Sequence, residues 1–471
     1  MSLDQTLTPL VTQLQTSARS STAPFHTPGH HKGNGTPEIL KSWLSSAVFS
    51  ADLPELPELD NLFAPEGVIA QAQDLAAAAW NTDRTYFLTN GSTAGILAAV
   101  LAVCNPGDAI VVPRNVHRSV ISGLILSGAD PIFVMPIYDE ELDIVHGVDV
   151  TDLQRVLISN PDVKAILIVS PTYYGICSDI KSIAALAHDR NLPLIVDEAH
   201  GAHFGFHPDL PKSALHDGAD LVIQSTHKTL SAFTQASMLH HQGDRINLDR
   251  LAQSLALIQS SSPNYLLLAS LDAARMQMAT QGETLLGLAI QRVTQVRSQL
   301  ADVPGLRILS HPAIDPLRLT LNITNLGIDG FHLDDILHTE YGVTCELPSS
   351  KNLTFIFTHG TTDEDCDRLV QSLKKVSKAL ATRPPSPNSG GAGPKNLSVF
   401  EGELGKPGLT VRSAFFAPTK TIATGHAIGH LSADLLCPYP PGIPLILPGE
   451  VVTQAAIDHL QHLLTSGGTI T

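Results

Sequence analysis

A lysine and a carboxylate each follow a short apolar run of the sequence. Asp197 ends the run 194–196, and Lys228 lies 31 residues downstream, shortly after the run 221–223. Burying an unpaired carboxylate costs on the order of several kcal/mol, so Asp197 needs a cationic or N–H partner. A lysine whose pKa is lowered by burial and neighbouring charge becomes a nucleophilic amine. The alternative for Lys228, taken alone, is a solvated surface lysine.

Two further segments offer groups that bind ligands. In TNGST, residues 89–93, a glycine turn leads into a predicted helix. Free backbone N–H groups and the hydroxyls of Ser92 and Thr93 favour an anion there. Ordinary capping of the helix is the alternative, because serine and threonine are common N-caps. His117 follows the apolar run 109–112, and a single histidine at such a position is more often a structural residue.

Together these groups meet the requirements of pyridoxal phosphate. Asp197 would keep the pyridine nitrogen protonated, which makes the ring an electron sink. Lys228 would hold the aldehyde as a Schiff base. The hydroxyls of Ser92, Thr93 and Ser225 would bind the phosphate. The combination is far more specific than any of its members, so we predict this cofactor and no metal ion.

These groups lie within a regular alternation of apolar runs and helical patterns. Runs rich in Val and Ile alternate with segments of helical spacing, which predicts βαβ units and a mostly parallel α/β sheet. Such sheets bind ligands beyond the carboxyl ends of their strands, where all these segments lie. The predicted strands are residues 85–88, 109–112, 132–135, 165–169, 194–196 and 221–223. The predicted helices are residues 67–80, 92–103, 119–126, 153–159, 180–189, 265–281 and 283–300.

A smaller pattern follows the long helices. Strands predicted at 317–323, 343–346 and 354–357, with helices at 330–339 and 363–380, indicate a small α+β domain. The stretch RPPSPNSGGAGPKN, residues 383–396, is rich in Pro, Gly and polar residues and predicts a linker. We divide the chain into an N-terminal arm (1–60), a large cofactor-binding domain (61–300), a small α+β domain (301–382), the linker (383–396) and a C-terminal unit (397–471).

Composition excludes several classes of protein. The 471 residues carry 45 acidic and 29 basic side chains, a formal charge of −16, and no Lys/Arg cluster that could follow a phosphate backbone. No apolar run approaches the roughly 20 residues that span a bilayer, and the N-terminus lacks the pattern of a signal peptide. The five cysteines show no CxxC spacing. We expect a cytoplasmic protein that binds neither nucleic acid nor membranes.

In their order along the chain, the motifs resemble those of the fold-type-I ornithine/lysine/arginine decarboxylases. The resemblance covers about residues 23–455 and is strongest to the short bacterial arginine decarboxylases. It implies an aspartate-aminotransferase-like large domain and identifies the C-terminal unit as the family's C-terminal domain. The matching segments are TPGHHKG (27–33), TNGST (89–93), PRNVHRS (113–119), SPTYYG (170–175), VDEAHGAH (196–203), QSTHKTL (224–230), SSSPNYLLLASLD (260–272), CPYPPGIP (437–444) and PGE (448–450).

The resemblance assigns roles that the residues alone leave open. It implies that His117 stacks on the cofactor ring and that His200 lies beside this ring. His227 and Ser225 would contact the phosphate or the substrate. The catalytic set implied is Lys228, Asp197, His117 and His227. Ser261 or Ser262 would reach the cofactor of the neighbouring subunit, which makes a homodimer the minimal active assembly and leaves higher homo-oligomers open.

The reaction implied is the decarboxylation of a basic amino acid. Conversion of arginine to agmatine and CO₂ ranks first, ahead of lysine to cadaverine and ornithine to putrescine, as a step of polyamine biosynthesis. A substrate with a cationic side chain needs a distal carboxylate, and our candidates are Glu346 and Asp60. The alternative for each of them is a surface acid without contact to substrate.

Two other functions stay open. Another fold-type-I reaction, transamination or aldol cleavage, would use the same cofactor, and Arg318 is available in the small domain to hold a substrate carboxylate. A non-catalytic cofactor-binding regulator is the second alternative. The presence of Lys228, Asp197 and His117 argues against it.

Overall fold

The computed structural model describes residues 3–381, 408–439, 443–465 and 467–470. The chain divides into two units, the first comprising Met1–Val103 and Ala187–Thr284, the second Cys104–Leu186 and Leu285–Thr471. The predicted linker 383–396 lies outside the described residues.

The regular elements of the described residues alternate between helix and strand through most of the chain. The helices are α1 (Pro9–Arg19), α2 (Glu38–Trp43), α3 (Ser46–Ala51), α4 (Val68–Trp80), α5 (Gly91–Val103), α6 (Arg118–Ser127), α7 (Val150–Ser159), α8 (Ile180–His188), α9 (Thr226–Thr229), α10 (Leu248–Ile258), α11 (Tyr265–Leu300), α12 (Gly330–Tyr341), α13 (Asp363–Ala381), α14 (Val411–Phe415) and α15 (Gln454–Thr465). The strands are β1 (Arg84–Leu88), β2 (Ala109–Pro113), β3 (Asp130–Val134), β4 (Pro136–Asp139), β5 (Ile144–Val148), β6 (Ala165–Val169), β7 (Leu194–Asp197), β8 (Leu221–Gln224), β9 (Ser237–His241), β10 (Arg307–Ile308), β11 (Arg318–Asn322), β12 (Leu347–Pro348), β13 (Asn352–Ile356), β14 (Pro438–Tyr439) and β15 (Thr469–Ile470).

In the first unit, four strands lie side by side in the order β1, β9, β8, β7. Strands β7 and β8 are parallel, whereas β9 is antiparallel to both of its neighbours. Helix α5 packs closely on this sheet, because a Cβ atom added to Gly95 would lie 2.7 Å from the Leu88 side chain. The N-terminus of α5 is thereby held at the end of β1.

The second unit contains two larger groups of strands. Strands β6, β2 and β3 are parallel, which confirms the βαβ pattern predicted there. The order β10, β11, β13, β12 describes a second, antiparallel sheet. Two antiparallel pairs, β4 with β5 and β14 with β15, complete the described strands of this unit. Near the C-terminus, α15 packs its Ile457 and Leu460 against Leu445, Ile446 and Val452.

The strand predicted at 343–346 is wrong. This segment closes the end of α12, since the backbone N–H of Val343 donates to the carbonyl of Leu337. Two residues further on, the backbone N–H of Cys345 donates to the Asp334 carboxylate at 3.0 Å. The strand β12 therefore begins only at Leu347. Apolar and β-branched residues suggested a strand, but contacts with the preceding helix determine the conformation.

The two long helices predicted at 265–281 and 283–300 form one continuous helix, α11, of 36 residues. Gly282 separates the predicted helices, because glycine disfavours helix interiors by roughly 1 kcal/mol relative to alanine. In the structure a Cβ atom added at Gly282 would lie 3.1 Å from the Phe206 side chain. The glycine therefore admits a close neighbour without ending the helix.

Two elements that the sequence analysis missed depend on partners distant in the chain. Helix α1 lacks a side-chain cap of its own. Instead, the buried Asp272 carboxylate on α11 accepts from the N–H groups of Leu10 and Val11 at 3.0 and 3.4 Å. Strand β9 carries two histidines, which interrupt an apolar run, yet it is buried throughout. Neither the distant cap nor the burial of histidine is visible as a local pattern.

Candidate active site

Two of the predicted phosphate-binding serines lie in contact. Ser225 follows β8, and its hydroxyl donates to the Ser92 hydroxyl, in the first turn of α5, at 2.8 Å. Gly91 has a φ of 76°, a conformation that glycine adopts without strain and that lets the chain turn from β1 into the helix. Thr93 lies in the same turn and is exposed. Hydroxyl groups and the positive end of a 13-residue helix together suit a phosphate.

Asp197 and Lys228 interact electrostatically within the first unit. Asp197 ends β7 and is buried, with its carboxylate accepting from the backbone N–H of Ala199 at 3.2 Å. Burial raises the pKa of Asp197, and the positive charge of Lys228 opposes this rise. A cation near this carboxylate therefore favours its ionised form. The partner that the sequence analysis required for a buried Asp197 is present.

His200 holds the amine of Lys228. The Lys228 Nζ atom lies 3.1 Å from the Nε2 atom of His200, whose side chain is buried. Lysine ammonium only donates, so in this contact Nε2 accepts and His200 is neutral. Lys228 is half-buried in the short helix α9, directly after β8. The histidine thus orients the amine toward the end of β7, where Asp197 lies.

The ring of His227 is oriented by the backbone. Its Nδ1 atom lies 2.9 Å from the carbonyl of Ala236, so Nδ1 carries a proton and donates. Burial lowers the pKa of His227; the bond to Ala236 opposes this, and the Lys228 charge adds to it. The net shift favours a neutral ring whose Nε2 atom can accept a hydrogen bond.

A buried carboxylate that the sequence analysis did not single out lies next to Asp197. Glu198 is 2% exposed and accepts hydrogen bonds from Ser213 Oγ, Ala214 N and Gln224 Nε2 at 2.8, 2.7 and 2.7 Å. Burial raises the pKa of Glu198 to about 7 in spite of these three donors. The signal in the sequence is a second acid immediately after the buried strand.

Gln224 extends this network across the sheet. Because its amide group donates to Glu198, its carbonyl oxygen accepts from His240 Nε2, 3.2 Å away. The other ring nitrogen of His240 then accepts from the Thr85 hydroxyl at 2.8 Å. Burial lowers the pKa of His240 to about 3, so the ring is neutral. The network joins β1, β9 and β8 to the end of β7, which carries Asp197.

The loop that precedes α11 approaches the phosphate-binding turn. The backbone N–H of Ser260 donates to the Asn90 side chain at 3.3 Å, and Asn90 directly precedes Gly91. Ser261 and Ser262 follow in the same loop and are exposed. Their exposure leaves them accessible to another molecule.

Asp60 performs a structural task in the first unit. Burial raises its pKa, but hydrogen bonds from backbone N–H groups outweigh this and hold the pKa below its ordinary value. Its carbonyl also accepts from the Tyr265 hydroxyl at 2.6 Å. The carboxylate therefore caps α4, which accounts for the residue without a substrate. The N–H donors to this carboxylate are those of Asn61, Glu66, Gly67, Ile69 and Ala70.

His117 lies in the second unit and caps α6. Its Nδ1 atom accepts from the backbone N–H of Ser119 at 3.2 Å and lies 2.9 Å from the hydroxyl of the same residue. The ring is half-buried just after β2. In the neutral ring the proton is then on Nε2. This cap fixes both the orientation and the tautomer of the imidazole.

The charge of Glu346 acts on Arg318 in the second unit. Arg318 is buried on β11, and burial lowers its pKa, whereas the negative charges of Asp315 and Glu346 oppose that shift. Glu346 itself is exposed. A carboxylate and a guanidinium therefore lie near each other in the predicted small domain.

Within the described residues, no group of three or more His, Cys, Asp or Glu side chains is arranged to hold a metal ion. Among the described helices, none combines the length and apolar character needed to cross a membrane.

The sequence matches a known protein family over most of its length. Residues 8–315 match the family described as Orn/Lys/Arg decarboxylase, major domain, and residues 406–469 match its C-terminal domain. Arginine decarboxylase of Bacillus subtilis is 37% identical over 473 residues, which cover 99% of this chain and 95% of that protein. Arginine decarboxylase of Bacillus anthracis is 36% identical over 473 residues, with coverage of 99% and 94%.

A solved structure supports the same fold. The constitutive lysine decarboxylase of E. coli superposes with a TM-score of 0.85 at 20% identity, over 99% of this chain and 80% of that chain. The predicted α/β fold class is therefore confirmed.

Proposed function

The chain belongs to the Orn/Lys/Arg decarboxylase family, and we propose that it decarboxylates arginine to agmatine and CO₂. The observation that carries this choice is the match to arginine decarboxylases at 36–37% identity over nearly the full length of both proteins. The other fold-type-I reactions and the non-catalytic regulator are not favoured by any of these relatives. Agmatine is a polyamine precursor, so we place the reaction in polyamine biosynthesis.

We propose pyridoxal phosphate as the cofactor, because the contacts in the first unit fit its three functional groups. The hydroxyls of Ser92 and Ser225, with the N-terminus of α5, would hold the phosphate. Thr93 is available in the same turn. The buried carboxylate of Asp197 would bind the pyridine nitrogen, and Lys228 is the amine that would bind the aldehyde.

When bound, pyridoxal phosphate accepts the electron pair that remains on Cα as CO₂ leaves. Asp197 serves this chemistry by keeping a negative charge where the pyridine nitrogen needs a proton. Lys228 Nζ, held by His200 at 3.1 Å, is positioned to return a proton to Cα, and His200 can exchange a proton with that amine. Neutral His227, whose Nδ1 proton is donated to the Ala236 carbonyl, would contact the phosphate or the substrate through Nε2, which accepts a hydrogen bond from a donor group of either.

His117 is proposed to stack on the cofactor ring. Its cap on α6 supports this role, because a fixed imidazole plane loses little conformational freedom when a ring binds against it. Glu346 and Asp60 remain the proposed carboxylates for the cationic end of the substrate. Since Asp60 already accepts several backbone hydrogen bonds, the contacts favour Glu346 of the two.

We also propose a homodimer in which Ser261 or Ser262 reaches the cofactor of the neighbouring subunit. Large apolar side chains of the N-terminal arm support it, because Phe25, Ile39 and Trp43 are 94%, 78% and 78% exposed. Ile39 and Trp43 are four residues apart on α2 and therefore share one face of this helix, and an exposed apolar face commonly marks an interface between proteins. A higher homo-oligomer built from such dimers is compatible with the same surface.

The predicted domain boundaries and a cytoplasmic location remain proposals. The cysteine pattern of the sequence supports the location, because five cysteines without CxxC spacing do not suggest the disulfide framework of a secreted protein. The separate matches at 8–315 and 406–469 support a C-terminal domain that begins after the predicted linker.

The substrate is tested by competition. The purified enzyme is incubated with equal concentrations of arginine, lysine and ornithine, and the amines formed are measured by mass spectrometry. We expect agmatine as the main product. Cadaverine or putrescine as the main product would overturn the assignment of arginine, and turnover that requires a keto acid and releases no CO₂ would overturn decarboxylation.

A further inference from the structure

Arg114, three residues before His117, forms hydrogen bonds with residues of the C-terminal part of the chain. Arg114 directly follows β2 and is 1% exposed. Its guanidinium donates to the carbonyls of Pro444 and Leu445 at 2.6 and 3.1 Å and to the Glu450 carboxylate at 3.1 Å. A planar guanidinium can serve these acceptors together, which a lysine ammonium cannot do in the same geometry.

Glu450 is committed to this contact. It is 7% exposed, and its carboxylate also accepts from the backbone N–H of Leu447 at 2.8 Å. Burial raises the pKa of Glu450, whereas the Arg114 charge lowers it. Removing either partner leaves a buried charge without compensation, so the two residues depend on each other.

A second contact holds the other end of the same segment. Arg412 of α14 donates to the carbonyls of Ile125 and Leu126 at 2.7 and 2.8 Å, in the last turn of α6. Gly128 ends this helix so close to Arg412 that a Cβ atom there would lie 3.2 Å from the arginine Cδ atom. A cation at the C-terminal end of a helix also satisfies carbonyls that lack intrahelical partners.

His117 lies between these two anchors. It follows Arg114 by three residues and caps the N-terminus of α6, whose C-terminal carbonyls Arg412 binds. The start and the end of residues 114–127 are thus both held by the C-terminal segment, by which we mean the described residues from 408 to 470.

We propose that the C-terminal segment positions His117, with Arg114, Glu450 and Arg412 acting as positioning residues. The proposal rests on the proposed function in one respect, the stacking of His117 on the cofactor. It gives the C-terminal segment a task in the reaction although none of these three residues needs to touch the substrate. Loosening either anchor should increase the motion of α6 and misplace the imidazole.

The test measures hydrogen exchange in the full-length protein by mass spectrometry. In Glu450→Gln and in Arg412→Ala, we expect the amides of residues 114–127 to exchange at least about tenfold faster than in the wild type. The matched control is Leu373→Ala, which removes a buried side chain of α13 in the same unit and changes none of the residues that form the two anchors. This control should not accelerate exchange in residues 114–127.

The outcomes separate the proposal from the proposed function. Unchanged exchange in both anchor variants, or equal acceleration in Leu373→Ala, would overturn the positioning role whether or not the enzyme acts on arginine. Acceleration confined to the anchor variants supports it even if the competition experiment identifies another substrate. As a second readout, we expect the anchor variants to lower kcat more than they raise KM, because the carboxylate proposed to bind the substrate is Glu346 and not an anchor residue.

Discussion

Side chains of the same type acquire different tasks from their immediate neighbours. Asp60 and Asp197 are both carboxylates in regions that the sequence analysis selected for chemistry. Several backbone N–H groups converge on Asp60 and lower its pKa, which makes it a helix cap. Asp197 is buried beside the charge of Lys228 and accepts from one backbone N–H, that of Ala199. The surroundings of Asp197 leave its carboxylate able to bind a cationic ring. The carboxylate of Asp60 is already occupied by backbone N–H groups.

We expect Lys228→Ala to reduce turnover by at least about 100-fold, the lower range for loss of a proton-transferring group. The visible absorbance that the proposed cofactor would give the protein when joined to Lys228 should disappear with turnover. Lys212, exposed in the same unit, provides the control Lys212→Ala, which should retain both properties. Normal turnover in Lys228→Ala would refute the assignment of this lysine.

We expect Asp197→Ala to weaken cofactor binding, because the pyridine nitrogen of the proposed cofactor would lose its anionic partner. A charge-assisted hydrogen bond of this kind contributes about 1.5–3 kcal/mol, or roughly 10- to 100-fold in the dissociation constant. Equilibrium titration of cofactor-free protein measures the change. An unaltered dissociation constant with unaltered turnover contradicts the role proposed for Asp197.

Pairs of elements that are distant in the chain are joined by buried polar contacts. Glu198 ties the end of β7 to Gln224 of β8, and His240 extends this tie to β9. Asp272 of α11 caps α1 in the same way. Each contact sets the position of one element against another, and each involves a buried group whose partner cannot be removed without cost.

The Glu198 network predicts a pH dependence of stability. Burial raises the pKa of Glu198 from 4.5 to about 7. Between these pH values the Glu198 carboxyl keeps its proton in the native state, whereas it has lost this proton in the unfolded chain. The resulting stabilisation is complete below pH 4.5 and is lost as the pH rises through about 7, with a total of about 3 kcal/mol. Glu198→Gln cannot titrate and should lack this part of the slope.

Urea unfolding of the wild type and Glu198→Gln at a series of pH values measures this difference. Glu364 is exposed on α13, and Glu364→Gln serves as the control that should keep the wild-type slope. Identical pH slopes for the wild type and Glu198→Gln would show that Glu198 does not titrate in this range.

The cap on α1 predicts a large loss of stability in Asp272→Ala. Asp272 and Arg275 are both fully buried, with the Arg275 guanidinium donating to the Asp272 carboxylate at 2.5 Å. Removing the carboxylate leaves a buried arginine and two uncapped N–H groups, which costs about 3–5 kcal/mol. The exposed pair of Arg368 and Glu364 is the control, and Glu364→Ala should cost less than about 1 kcal/mol. Similar unfolding free energies for the two variants would contradict this prediction.

Several large apolar side chains are exposed to solvent, and burying them in an interface would be favourable. Phe25 and Trp43 belong to the predicted N-terminal arm, together with Ile39 of α2. These residues are the basis for the proposed dimer. Elsewhere on the described surface, single exposed apolar residues such as Ile158 of α7 are ordinary features of a soluble surface.

We expect Trp43→Ser, combined with Phe25→Ser, to weaken the dimer by at least about 10-fold in its dissociation constant, as loss of aromatic interface anchors does. Sedimentation velocity over a range of concentrations measures it. Ile158→Ser is the matched control, because Ile158 is 65% exposed but lies in the other unit. A wild type that sediments as a monomer, or a double variant that dimerises as well as the wild type, contradicts the proposal.

Short-range patterns in the sequence were sufficient for most strands and for the composition of the site. Strands β2, β6, β7 and β8 were predicted within one or two residues, because a buried strand requires an apolar run that a few neighbouring positions define. Ser92 and Ser225, whose hydroxyls are in contact, and Lys228, which contacts His200, are likewise found from the sequence. Their residue types and their places after the strands indicate their chemistry.

The tertiary structure decided which partner each buried polar group has. Arg114 binds carbonyls 330 and 331 residues away, and Asp272 caps a helix 262 residues away. Local periodicity concerns only residues a few positions apart. Pairs of distant residues form because packing removes both polar groups from water, so that each must bond to the other. The sequence thus identifies the reacting groups, and the packing of distant segments determines how they are held.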